Sequence, residues 1–222
     1  MPGIWFFVLL SGVAVLNWVG NARQSKVLVW VTKPTYILLL LGWVFTTLPF
    51  NSVTILFLLG LGCSLVGDVL LMLPQRPFLA AMGAFFLTHL LYGLGLSMPL
   101  SAQIFLSLGM TLAVLASEFS LLKRFQRALT ESGQTRYRLP LLAYGVALSF
   151  SLGAALATFG HPAWETFSSI LVSGGGALFF FSDVLIARHR FLTPVPHRDL
   201  MVMVSYQAGQ FALILGMVIH TL

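Results

Sequence analysis

Eight apolar runs, at residues 4–20, 27–47, 53–73, 78–98, 101–117, 139–159, 166–187 and 200–220, take up almost all of this 222-residue chain. A helix of about 20 apolar residues crosses the roughly 30 Å hydrocarbon core of a bilayer, and inside lipid a helix satisfies its own N–H and C=O groups. The runs therefore predict an all-α fold: a polytopic membrane helix bundle of about eight transmembrane helices, one integral membrane domain over 1–222. Composition excludes a water-soluble reading. Only 8% of residues are charged and the mean hydropathy is +0.95, against roughly 25% charged residues in soluble domains. The segment from residue 4 lacks the basic start of a cleaved signal peptide, so the first run is expected to persist as a helix. The lone cysteine, Cys63, lies within an apolar run and reads as a buried packing residue.

The connections alternate in charge. Arg23 and Lys26 flank the first, Arg76 the third, Lys123, Arg124, Arg127, Arg136 and Arg138 the fifth, and Arg188, Arg190 and Arg198 the seventh. The second, fourth and sixth carry no Lys or Arg. Basic loops stay on the cytoplasmic side, so the odd connections are expected to be cytoplasmic and both termini on the other side. This topology accounts for the +6 net charge without a nucleic-acid partner; contact with anionic lipid is the expected use of the basic loops. Short loops point to a bacterial cytoplasmic membrane.

Two segments repeat. Gly67-Asp68-Val69-Leu70-Leu71-Met72 closes the third run, and Ser182-Asp183-Val184-Leu185-Ile186-Ala187 closes the seventh. Small residues precede both, Gly60 to Ser64 and Ser173 to Ala177, where neighbouring backbones can approach closely. Four helices separate the copies, so they run in the same direction. This suggests parallel half-repeats, 1–98 and 101–222.

An ionised side chain within hydrocarbon costs at least about 3 kcal/mol on insertion scales, so intramembrane acids face the bundle interior and mark function. Of six acids only Asp68 and Asp183 read as that deep. Lys33, His89 with Tyr92 three residues on, Tyr144, and Tyr206 with Gln207 and Gln210 all fall in or near the same half of the bilayer, although they come from different helices. Independent placement would not favour that clustering. The structural readings are a snorkelling Lys33, a core His89, packing tyrosines and interhelical glutamine bonds. Glu118, Glu131, Glu165, Asp199, His161, His189 and His197 read as solvated residues at helix ends or in loops. One histidine and two aspartates lack the spacing of a metal site, so no metal is assigned.

At these residues the chain resembles the YhhN family of membrane lysoplasmalogenases. The likeness rests on Thr32-Lys33-Pro34, Gly67-Asp68 with Leu71-Met72, Phe85-Phe86-Leu87-Thr88-His89-Leu90-Leu91-Tyr92, Ser182-Asp183-Val184, and Ser205-Tyr206-Gln207 with Gln210. Residues 101–138 match nothing. The resemblance implies hydrolysis of the vinyl ether bond of a lysoplasmalogen to a fatty aldehyde and glycerophosphocholine or glycerophosphoethanolamine. The expected partners are that lysophospholipid and membrane lipid, with no cofactor. Asp68 and Asp183 are the expected catalytic acid and base, in unassigned order. Lys33, His89, Tyr92, Tyr144, Tyr206, Gln207 and Gln210 are the expected supporting or substrate-binding residues. The alternative is a small proton-coupled carrier using the same acids.

Overall fold

Each apolar run forms one helix in the computed structural model, which describes residues 3–74, 77–98 and 102–221. The helices are α1 (Gly3–Ala22), α2 (Lys26–Thr47), α3 (Ser52–Met72), α4 (Phe78–Leu96), α5 (Ala102–Glu131), α6 (Arg138–Ala157), α7 (Thr166–Phe191) and α8 (Arg198–Thr221). All eight are long and apolar enough to cross a membrane. The basic position Arg76 and the expected start of the fifth run at Ser101 lie outside the described residues.

Two helices outlast their apolar runs. α5 is 30 residues long and carries Lys123, Arg124 and Arg127 on its final turns, where loop had been expected. Leu, Lys, Arg, Gln and Ala are all good helix formers, so α5 continues after its apolar character ends. It stops before Gly133, whose φ of +68° is left-handed and favours glycine. α7 likewise carries Arg188, His189 and Arg190 in its last turn. Hydropathy marks where the membrane ends, and propensity marks where the helix ends.

Consecutive helices pack as antiparallel pairs, α1 on α2, α3 on α4, α5 on α6 and α7 on α8, with α4 on α6 and α8 against both α1 and α2 joining the pairs. Glycines set the closest approaches. A Cβ on Gly60 would stand 2.5 Å from the Tyr92 ring, and one on Gly67 would stand 2.7 Å from Phe85, so both aromatics of α4 occupy notches in α3. On the α7 and α8 pair the backbones themselves meet: a Cβ on Gly209 would lie 2.8 Å from both the Gly175 carbonyl oxygen and the Phe179 nitrogen. Cys63 is half-buried rather than buried.

Three odd connections converge on one end of the bundle. Asn21, Gln24, Ser25 and Lys26, then Leu73 and Pro74, then His189, Arg190, Arg198 and Asp199 all border one open cavity. The fifth joins them, since Arg136 and Arg190 both donate to the Tyr137 hydroxyl, at 3.2 and 3.3 Å. This end is the basic face.

The glycine contacts make a pair of opposite expectations. Gly209→Val forces two backbones apart and should cost about 1–3 kcal/mol, as overpacking does. Gly174→Ala, with nothing within 4 Å of its added Cβ, should be neutral or slightly stabilising. Thermal unfolding in detergent, followed by tryptophan fluorescence, checks both.

Candidate active site

The two aspartates belong to separate hydrogen-bonded groups with different chemistry. Asp68, on the last turns of α3, is 1% exposed. Lys33 Nζ from α2 sits 3.0 Å from its Oδ1, and the Tyr206 hydroxyl from α8 donates to its Oδ2 at 2.8 Å. Behind Tyr206 the bonds continue: Ser64 and Tyr206 hydroxyls are 2.6 Å apart, Gln210 Nε2 donates to Ser64 Oγ at 3.0 Å, and Tyr92 donates to Gln210 Oε1 at 2.8 Å. Tyr206 has one hydrogen and spends it on Asp68, so Ser64 donates to Tyr206. Every donor in the series thus points toward Asp68, and both carboxylate oxygens are occupied. A lysine ammonium and a donated hydroxyl are the contacts an ionised carboxylate would use here.

Asp183, on α7, is held through one oxygen only. His89 Nε2 from α4 and the Tyr144 hydroxyl from α6 both lie 2.8 Å from Oδ2. Among the described residues nothing bonds Oδ1. Asp183 and His89 thus form one buried hydrogen-bonded pair, with Tyr144 as its third member.

An aromatic wall stands between the groups. The Phe179 ring lies 4.6 Å from His89 and 5.2 Å from Tyr206, centroid to centroid, with Phe85 6.5 Å from Phe179 and 6.2 Å from Tyr206. Gly67 makes room for Phe85, so the glycine before the catalytic candidate also shapes this wall.

Both carboxyls border a cavity of about 940 Å³ that opens at the basic face. Its walls include Lys26, Trp30, Lys33, Tyr206, His189, Arg190, Arg198 and Asp199. On the far side of Phe85 and Asp183 lies a second, mostly apolar slot between α4, α5, α6 and α7, lined by residues such as Met82, Leu122, Phe125 and Leu148. Leu71, Phe78, Phe85, Asp183 and Ile186 belong to both spaces. Asp183 is therefore placed where a polar vestibule adjoins an apolar slot.

The structure joins most of the residues expected from sequence, and divides them unexpectedly. His89 and Tyr92 share a face of α4 yet serve different groups, the first Asp183 and the second Asp68. Tyr144, which taken alone reads as packing, is a direct partner of Asp183. Gln207 is brought near through its backbone, which accepts from Tyr36 at 2.8 Å; its side-chain amide has no partner among the described residues. Asp199 and His189, read as solvated, border the vestibule. Glu118 is a correction. It lies within α5 rather than at its end, is 9% exposed, and pairs with Ser149 of α6. Its misreading follows from ending the fifth helix with its apolar run. Ser64, Tyr36 and Asn17 also went unassigned. Asn17 donates to Thr32 at 2.8 Å and ties α1 to α2 beside Lys33. Tyr36, one turn after Lys33, carries the one sequence signal that marks it.

Known proteins resemble the chain along most of its length. The YhhN family model matches residues 28–217. The mouse lysoplasmalogenase TMEM86B is 32% identical over 215 residues, covering 95% of this chain and 84% of its own, and human TMEM86B is 32% identical over 212 residues with the same coverage. The membrane protein YhhN of Escherichia coli O157:H7 is 28% identical over 212 residues, 95% of this chain and 97% of its own. No solved structure matches.

The Lys33 and Asp68 pair predicts a cycle. Lys33→Met leaves a buried carboxylate unpaired and should destabilise by about 3 kcal/mol, whereas Lys33→Met with Asp68→Asn should recover most of that loss. Detergent unfolding of the two singles and the double measures the coupling.

Proposed function

The chain belongs to the YhhN family, and from that premise we propose that this lysoplasmalogenase-like membrane hydrolase cleaves the vinyl ether bond of a lysoplasmalogen, releasing a fatty aldehyde and glycerophosphocholine or glycerophosphoethanolamine. The observation that carries the reading is the pair of unlike carboxyls in one cavity, Asp68 held as an anion by Lys33 and Tyr206, and Asp183 with one free oxygen. Vinyl ether hydrolysis needs that asymmetry. The slow step places a proton on the carbon β to the ether oxygen, and the resulting oxocarbenium ion then takes up water.

Asp183, with His89, is assigned as the general acid. Its proton passes to the β-carbon, the carbon–carbon π electrons form the new C–H bond, and positive charge spreads over the adjacent carbon and the ether oxygen. Asp68 stabilises that cation and accepts a proton from the attacking water, as one carboxyl of a glycosidase does. The hemiacetal then gives its hydroxyl proton to Asp183 as its bond to the glycerol oxygen breaks and that oxygen takes the proton held by Asp68, so the aldehyde and the alcohol depart with both carboxyls restored. Tyr144 holds the acid's other oxygen, and Lys33 keeps the base ionised until water attacks. Tyr92 and Gln210 act through Ser64 and Tyr206 on Asp68.

The two spaces match a single-chain phospholipid. Lys26, Arg190 and Arg198 at the vestibule rim suit the phosphate, since a guanidinium or ammonium binds it by charge-assisted hydrogen bonds. The apolar slot suits the hydrocarbon chain. By the distribution of basic residues, the vestibule faces the cytoplasm and both termini the opposite side.

Purified protein given a panel of vinyl ether, alkyl ether and acyl lysolipids should release aldehyde from the vinyl ether alone, as read by mass spectrometry. An alkyl ether has no π bond to protonate. Asp183→Asn and Asp68→Asn, folded as the parent, should each lose about 100-fold or more of that rate. Undiminished aldehyde release from either variant would refute the assignment, and substrate-dependent flux in proteoliposomes without hydrolysis would make the protein a carrier.

A further inference from the structure

The slot holds one polar group that the reaction leaves idle. Apart from Tyr144 and Asp183 at the catalytic junction, Glu118 is the polar side chain on its lining. Its neighbour Ser149 shares its single hydroxyl hydrogen between two acceptors, the Glu118 carboxyl and the Gly145 carbonyl at 2.8 Å. That arrangement engages one carboxyl oxygen, and among the described residues Ser149 is the one side-chain hydrogen-bond partner of Glu118. The second oxygen is left to the slot.

Position along the slot follows from α6. Tyr144 reaches Asp183 and Ser149 reaches Glu118, and at 1.5 Å per residue the two stand about 7 Å apart along that helix. A chain whose first bonds lie at Asp183 and which runs deeper therefore meets a carboxyl after a short apolar stretch. Methylenes packed on an unsatisfied oxygen displace whatever solvates it and give no hydrogen bond back.

We propose that Glu118 is a specificity-determining residue, a polar brake that weakens the hold on long saturated chains and so also on the long-chain aldehyde product. The inference rests on the reading above that the slot receives the substrate chain. Short chains stop before Glu118 and do not feel it. A purely apolar wall would grip the product as firmly as the substrate, since both carry the same chain, whereas a polar patch beyond the junction favours departure into the bilayer.

The test is equilibrium binding of propyl and hexadecyl alkyl ether lysolipids to protein in nanodiscs, read by tryptophan fluorescence; Trp30 borders the vestibule. Glu118→Leu should bind the hexadecyl lipid about tenfold more tightly than the parent, a change of about 1.4 kcal/mol, with propyl binding unaltered. Partition into lipid is common to both proteins and cancels. Glu118→Gln, which keeps an acceptor for Ser149 and a polar group in the slot, should keep the parent's ratio. The substitution to leucine leaves Ser149 its bond to Gly145, and Glu118→Met provides a second apolar variant should leucine fail to fold. Equal effects on both chain lengths, or no effect on either, would overturn the proposal. Because alkyl ethers are not hydrolysed, the binding ratio stands or falls apart from the vinyl ether assignment.

Discussion

Seating a buried carboxyl group among helices with partners on both of its oxygens is the demand around which this bundle is organised. Asp68 lies about 6 Å inside the end of α3 at Met72, where an unpaired charge costs several kcal/mol. No single partner offsets that. Lys33 neutralises it from α2, Tyr206 donates from α8, and the series through Ser64, Gln210 and Tyr92 draws in α4. Four helices thus have their relative register set by one carboxylate, because sliding any of them by a residue leaves a buried donor or acceptor without a partner. The glycine notches serve the same end: Tyr92 reaches Gln210 only because Gly60 lets its ring lie against α3.

Asp183 is a sequence relative of Asp68 and a physical contrast to it. Its partners are an imidazole and a phenol rather than an ammonium, and both fall on one oxygen. Identical residue types in similar local sequence have therefore been given different hydrogen-bond partners by the neighbouring helices, and the separate roles proposed for them need such a difference. Phe179 and Phe85 pack against His89 and Tyr206 and stand between the two hydrogen-bonded groups.

Helix number and the gathering of basic ends on one face were legible before any coordinates, because both follow from hydropathy and from the charge of the loops. The aspartates were legible too, since few residues cost as much in lipid. Their partners were legible only as a set. Residue spacing puts His89 and Tyr92 on one face of α4, but a face several residues wide touches two neighbours, and nothing local says that His89 turns to α7 while Tyr92 turns to α8. Glu118 was hidden for a different reason. Its surroundings in sequence, Ser117, Phe119 and Ser120 with basic residues soon after, look like the end of a span, and its burial is created by α6 packing across it. Ser64 looked like a small residue for close approach, and it is one; its hydroxyl also carries a bond of the Asp68 series.

The junction of two unlike spaces bears on why the proposed acid stands on α7 rather than nearer the surface. On the proposed reading an amphipathic substrate leaves its phosphate among Lys26, Arg190 and Arg198 and its chain among Met82, Leu122 and Leu148, and the bond to be cut is the one that links those two parts. A group that protonates the first carbons of the chain has to stand on the boundary, and Asp183 is the one carboxyl shared by both linings. Asp68 borders only the wet side, which is where water must come from. Position relative to the boundary therefore supports the proposed roles on grounds separate from the hydrogen-bond partners: on that reading the acid is the carboxyl that borders the apolar slot, and the base is the one that borders only the vestibule.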